Sequence, residues 1–113
     1  MTNFTHGRLA EETAATYLES HGFTILGRNW RTKYCEIDIV ASRESIVFFV
    51  EVKYRRTRDQ GDGLDYITTK KRQRMLFAAS IWIHAHRWTG DSRLCALEVS
   101  GHNYQVGEFI DEL

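Results

Sequence analysis

The chain has no proline at all, only two cysteines, no long apolar run and no net charge. Each absence excludes something. Without proline there is no polyproline stretch and no proline-punctuated linker, so glycine must mark the turns. Cys35 and Cys95 stand far apart and form no CxxC or Cys/His ligand set, which argues against a disulfide scaffold or a structural zinc. They read as free thiols in a reducing compartment. No apolar stretch approaches a membrane span, and the opening Met1-Thr2-Asn3-Phe4-Thr5-His6 has no signal-peptide pattern. The expected setting is the cytoplasm, with no membrane partner.

What is present is an ordinary globular composition in 113 residues, 42% of them apolar, expected to form one domain over residues 1–113. There is no internal repeat or low-complexity tract. The zero net charge hides an asymmetry. Residues 53 to 74 hold eight of the 15 cations (Lys53, Arg55, Arg56, Arg58, Lys70, Lys71, Arg72, Arg74) against three acids, a local balance of about +5. Such a field attracts phosphate even on a neutral molecule, although a solvated loop and helix face would look the same.

Leu9, Ala10, Thr13, Ala14, Tyr17 and Leu18 follow helical spacing from about Thr5 to His21, with Gly22 as the stop. At roughly 100° per residue Glu12 points away from the apolar arc, whereas Glu11 falls about 20° from Leu18, at its edge. Strands are expected over Phe23–Arg28, Tyr34–Ala41 and Ile46–Lys53. Asn29 to Lys33 serves as a polar connection between the first two, and Ser42-Arg43-Glu44-Ser45 as a short hairpin loop between the last two. A second helix begins at a Thr68 or Thr69 cap and runs to about His86, burying Met75, Leu76, Ala79, Trp82, Ile83 and His86. Lys70, Lys71, Arg72 and Arg74 crowd its first turns, the unfavourable end for cations unless an anion meets them. Tyr54 to Tyr66 reads as a basic loop containing glycine. Arg93–Val99 and Tyr104–Phe109 read as a final hairpin. The order is helix, three strands, helix, two strands, an α/β fold around a small mixed sheet.

Strand parity sharpens the picture. If Ala41 pairs with Ile46, one hairpin face collects Ile37, Ile39, Ala41, Ile46, Phe48, Val50 and Val52. The other collects Glu36, Asp38, Val40, Val47, Phe49, Glu51 and Lys53. Any register that keeps parity preserves this division, so the charged groups share the open end of one face. Two readings follow. Glu51–Lys53 and Glu36–Lys33 are same-face ion pairs at a sheet end, or the acids are a metal site. In the second, Asp38 and Glu51 repel unless a cation neutralises them, and hard oxygen ligands suit Mg²⁺ or Mn²⁺. The Val52 carbonyl is a further candidate ligand. Lys53 would lie beside the attacking water, and Glu11 would complete the shell from the helix edge.

The run Glu36-Ile37-Asp38 followed by Val47-Phe48-Phe49-Val50-Glu51-Val52-Lys53 resembles the PD-(D/E)xK nuclease core of restriction-endonuclease-like folds. With Gly7-Arg8-Leu9-Ala10-Glu11, Tyr17-Leu18, Gly22-Phe23-Thr24-Ile25-Leu26, Asn29-Trp30-Arg31, Tyr54-Arg55 and Lys71-Arg72-Gln73-Arg74, the chain is similar to the YraN family of predicted bacterial endonucleases, related to archaeal Holliday-junction resolvases. The resemblance covers most of residues 7 to 83. It implies a restriction-endonuclease-like mixed sheet of about five strands flanked by helices. It also implies Asp38, Glu51 and Lys53 as the catalytic core, with Glu11 as the helix acid. Departures are Ala10 and Cys35 where the family usually carries glycine, and Cys95 where it carries aspartate near the start of the penultimate strand.

The expectation is a Mg²⁺- or Mn²⁺-dependent endonuclease for branched or structured DNA, with RNA left open as a substrate. Asp38, Glu51 and Val52 would bind metal, and Arg31, Arg55, Arg56, Lys71 and Arg72 would meet phosphate. Trp30 either stacks on a base or packs under its loop. Resolvase relatives act as dimers because a four-way junction takes two cuts, and the analogy extends a homodimer to this chain. The rival expectation is a nucleic-acid-binding or scaffold protein that keeps the fold without cleavage.

Overall fold

Gly22 sits at φ 87°, where an L side chain is strained, and it closes the first helix. The amide of Phe23 reaches the carbonyl of Leu18 at 3.0 Å and that of Gly22 reaches Glu19 at 3.2 Å, a Schellman stop. In the computed structural model, which describes residues 3–56 and 67–113 and the side chains from His6 onward within the first helix, that helix is α1, Asn3–Ser20. It is followed by β1 (Thr24–Arg31), β2 (Glu36–Arg43), β3 (Ile46–Arg55), α2 (Thr69–Ala85), β4 (Asp91–Ser100) and β5 (Gln105–Ile110). Residues 57–66, the greater part of the expected basic loop and including Arg58, lie outside the described residues.

The five strands lie in sequence order in one sheet, antiparallel except for the parallel β3–β4 pair. A parallel pair needs a crossover, and α2 lies on that connection. Central strands covered on both faces lose polar alternation, which is why Val47–Val50 and Leu94–Leu97 are continuous apolar runs. α1 covers one face, where Ala10, Ala14 and Leu18 join Ile39, Ala41, Phe48, Val50 and Leu97. α2 covers the other with Met75, Ala78, Ala79 and Trp82 against Val40, Val47, Phe49 and Leu94. The Thr68 hydroxyl caps α2 by accepting from the Lys71 amide at 3.1 Å. This is the expected α/β architecture, a mixed sheet of five strands flanked by helices.

Several local expectations are corrected. The segment Asn29-Trp30-Arg31 is strand rather than connection: β1 runs to Arg31, bulged between Ile25 and Gly27 and bent at Asn29, whose φ is 53°. The hairpin loop is two residues, not four. Glu44 and Ser45 both take positive φ (54° and 65°), as a type I′ turn requires, and Arg43 pairs with Ile46. Ala41 accordingly pairs with Phe48 instead of Ile46, a shift of two residues that preserves face parity. Ile37 breaks that parity by packing on the α2 side with Trp30 and Cys35. On α2, Leu76 is 51% exposed, so it leaves the buried stripe, and Ala78 takes a place in it.

Candidate functional site

The β2–β3 ladder stops at Ile39–Val50. Beyond it β2 stays with β1 through Trp30–Ile37 and Arg31–Glu36, while β3 stays with β4 through Glu51–Ala96 and Val52–Leu97. The two strands part, and a fork opens between them. The Asp38 carboxylate fills the place of a ladder carbonyl there: the Val52 amide donates to its Oδ2 at 2.8 Å. The same divergence explains Ile37, which follows β1 once β2 has left β3.

Acids gather in this fork. Glu11 from α1 and Glu36 and Asp38 from β2 each bring a carboxylate oxygen within 4.8 Å of the others. Asp38 is only 9% exposed. Burial, and next the Glu51 charge, lift its proton affinity from an ordinary 3.8 to about 8, against the opposing Val52 amide. Burial and then the Glu36 charge push Glu11 upward as well, while Arg28 and a hydrogen bond from Asn29 pull the other way. The Oε1 atom of Glu11 is buried with no hydrogen-bond partner. An oxygen in that state, in a cluster of carboxylates, is a poor place for three negative charges and a good one for a hard divalent cation. The donor set is chemically compatible with Mg²⁺ or Mn²⁺, and Glu11, Glu36 and Asp38 are the carboxylates close enough together to share such an ion.

This differs in part from the set that the sequence indicated. Asp38 is central in both. Glu36 is expected from the sequence on the charged face but not as a ligand, and its parity with Asp38 is the signal that points to it. Glu51 lies outside the three-carboxylate group and instead accepts from Lys71 Nζ at 2.7 Å. The ion pairs proposed along the strands, Glu51–Lys53 and Glu36–Lys33, are replaced by Glu51–Lys71 and by Arg31 Nε–Glu36 Oε2 at 3.0 Å. Val52 enters through its amide to Asp38. Lys53 stands two residues beyond Glu51 on β3, half-buried and opposite Glu98 of β4.

A cleft of about 280 Å³ joins these groups, lined by Glu36, Asp38, Glu51 and Lys71 together with Tyr34, Cys35, Arg74 and Met75. The expected phosphate contacts divide around it. Lys71 reaches into the cleft, answering the acid that the helix N-terminus lacked. Arg31 flanks it through Glu36. Arg55 pairs with Glu98 at 3.5 Å, and Arg56 is exposed at the end of β3. Arg72 is elsewhere: its guanidinium donates to the Leu113 carbonyl at 3.3 and 3.4 Å, beside a separate groove between α2 and β4. Trp30 packs, half-buried, against the α2-side core. Among the described residues no helix is long and apolar enough to cross a membrane.

Residues 10–105 match the model of a family described as "Uncharacterised protein family UPF0102". A UPF0102 protein of Nitrobacter winogradskyi is 48% identical over 83 residues, covering 74% of this chain and 69% of that protein. One from a Sulfurihydrogenibium species is 38% identical over 97 residues, covering 85% of this chain and 84% of its own. One from Rhodopseudomonas palustris is 43% identical over 91 residues, covering 80% of this chain and 68% of its own. The matched span contains Glu11, Glu36, Asp38, Glu51, Lys53 and Lys71, and with them the strands β1 to β4 that build the fork; the chain belongs to the UPF0102 family.

Proposed function

We propose that this protein is a metal-dependent endonuclease of the PD-(D/E)xK type, as the YraN resemblance implies, hydrolysing phosphodiester bonds in branched or otherwise structured DNA. One observation carries the reading: a buried Asp38 carboxylate, tied to the Val52 amide and crowded by Glu11 and Glu36, at the floor of an open cleft. Such a cluster is costly for the fold alone and useful to a hard cation. Asp38 and Glu51, with Glu11 and Glu36 beside them, are the residues to hold Mg²⁺ or Mn²⁺, and the Val52 carbonyl is a further donor. When bound, the ion supplies a Lewis acid to the phosphate and a lowered proton affinity to water. Lys53 orients the attacking water or steadies charge on phosphorus. Lys71 neutralises Glu51 and lines the cleft, where its amine would meet a phosphate oxygen of a bound strand. A reducing cytoplasm suits the two unpaired thiols, and two cuts in a four-way junction suit a homodimer.

The Lys71–Glu51 pair also favours a second reading, a DNA-binding or scaffold protein in which an amine has taken the ion's place. An end-labelled four-way junction, incubated with protein and Mn²⁺, separates the two. The nuclease reading expects nicks that vanish with EDTA and fall by at least about 100-fold in Asp38→Asn and in Lys53→Ala, with junction binding retained. Binding without any nick in junction, single-stranded or duplex substrates supports the scaffold reading.

A further inference from the structure

Two large aromatic side chains stand on the surface beside the acidic cleft. Tyr34 is 70% exposed and Phe77 48%, with ring centroids 6.5 Å apart and planes inclined at 56°. Neither position is a loose end. Tyr34 lies in a turn closed by Thr32, whose amide reaches the Cys35 carbonyl at 2.7 Å and whose hydroxyl accepts from the amides of Tyr34 (3.2 Å) and Cys35 (2.9 Å). The Cys35 thiol then donates to the Arg74 carbonyl at 3.0 Å, tying that turn to α2. Phe77 rides on the same helix, one turn beyond Gln73. A protein that holds two aromatic faces in water on a braced turn and a helix forgoes the burial that such rings normally gain.

The surroundings identify what would cover them. The groove is lined by Tyr34, Cys35, Lys70, Gln73, Arg74 and Phe77, with a volume of about 580 Å³. Lys33 Nζ stands 5.6 Å from the Tyr34 ring centroid. An apolar partner would have to desolvate three cations and offer them nothing. A strand of unpaired nucleotides offers both complements, phosphates for Lys33, Lys70 and Arg74 and flat base faces for Tyr34 and Phe77. The groove is continuous with the acidic cleft, since Tyr34, Cys35 and Arg74 line both. Bases stacked in duplex have no free faces to give, so the platform discriminates by strand state and not by sequence.

We infer that the Tyr34–Phe77 groove is a stacking platform that takes an unpaired DNA segment and leads it to the Asp38 cleft. The inference rests on the endonuclease reading for what happens next, and it narrows that reading to substrates with unstacked nucleotides beside the cut. The test is fluorescence anisotropy in EDTA, with a labelled oligothymidylate of about 12 nucleotides and a blunt duplex of the same length. Tyr34→Ala and Phe77→Ala should each weaken single-strand binding by roughly 5- to 100-fold and duplex binding by less than about twofold. Tyr34→Phe and Phe77→Tyr, which keep the rings, should bind like the parent and show that the alanine effect is loss of stacking. Equal losses on both nucleic acids, or no loss on either, overturn the platform. So does a dimer that Phe77→Ala breaks while leaving DNA affinity unchanged. A protein that nicks junctions in Mn²⁺ but ignores Tyr34 and Phe77 overturns the platform alone. Aromatic-dependent strand binding by a protein that never cuts supports the platform and removes only the catalysis.

Discussion

Asp38 bears the greatest electrostatic strain of any residue in the fork, and its cost is set by pH. Its proton affinity in the folded protein is raised to about 8 from 3.8. The folded state therefore keeps a proton that the unfolded chain releases, and stability falls as pH climbs between those two values. The contribution is complete below about pH 4 and gone above about pH 8. Asparagine cannot titrate and still accepts from the Val52 amide. In metal-free buffer Asp38→Asn should melt on the order of 5 °C above the parent near pH 9, and the gap should close near pH 4, as read by thermal denaturation monitored by circular dichroism. A divalent ion should raise the parent's melting temperature at high pH and leave the variant's unchanged. Glu11 has the same sign of shift, so it adds to the trend without reversing it. Asp38 was legible in the sequence because a charged residue interrupts an apolar strand. The partner of Glu51 was not: Lys71 lies 20 residues away on another element, and only the docking of α2 brings the amine to 2.7 Å.

At the level of elements, alternation in β2 and β3 groups Glu36, Asp38 and Glu51 at one strand end, and these acids do line one cleft, although Ile37 leaves the apolar face it was expected to share. Alternation could not show where the strands separate. Divergence depends on β1 and β4 competing for the hairpin, a tertiary effect, and it is what turns Ile37 to the α2 side and opens the cleft. The two-residue turn is not legible in the sequence for a different reason. Glu44-Ser45 lacks the Asn-Gly signature of a type I′ turn, yet both residues take positive φ. Ser45→Gly should therefore stabilise the protein by about 1 kcal/mol, measured by urea denaturation, since an L residue in that region is strained by roughly that amount. Leu76 fits a helical apolar stripe in sequence, but α2 presents Ala78 and Trp82 to the sheet and leaves Leu76 outside beside Phe77.

For the whole molecule, zero net charge coexists with a local basic field because eight of the 15 cations but only three of the 15 acids fall in residues 53–74. Affinity for DNA should consequently be low in metal-free, high-salt buffer and rise steeply as salt is removed. Lys70→Ala and Arg74→Ala should each reduce the slope of log affinity against log salt by about 0.7 on a single strand, measured by anisotropy titrations at several salt concentrations. Arg72→Ala, whose guanidinium faces the Leu113 carbonyl, should leave the slope unchanged. The most direct measurement is Mn²⁺ binding by titration calorimetry near neutral pH. The parent should show a saturable site that Asp38→Asn abolishes while the fold survives. Binding of equal strength in parent and variant, or none in the parent, would contradict the metal site.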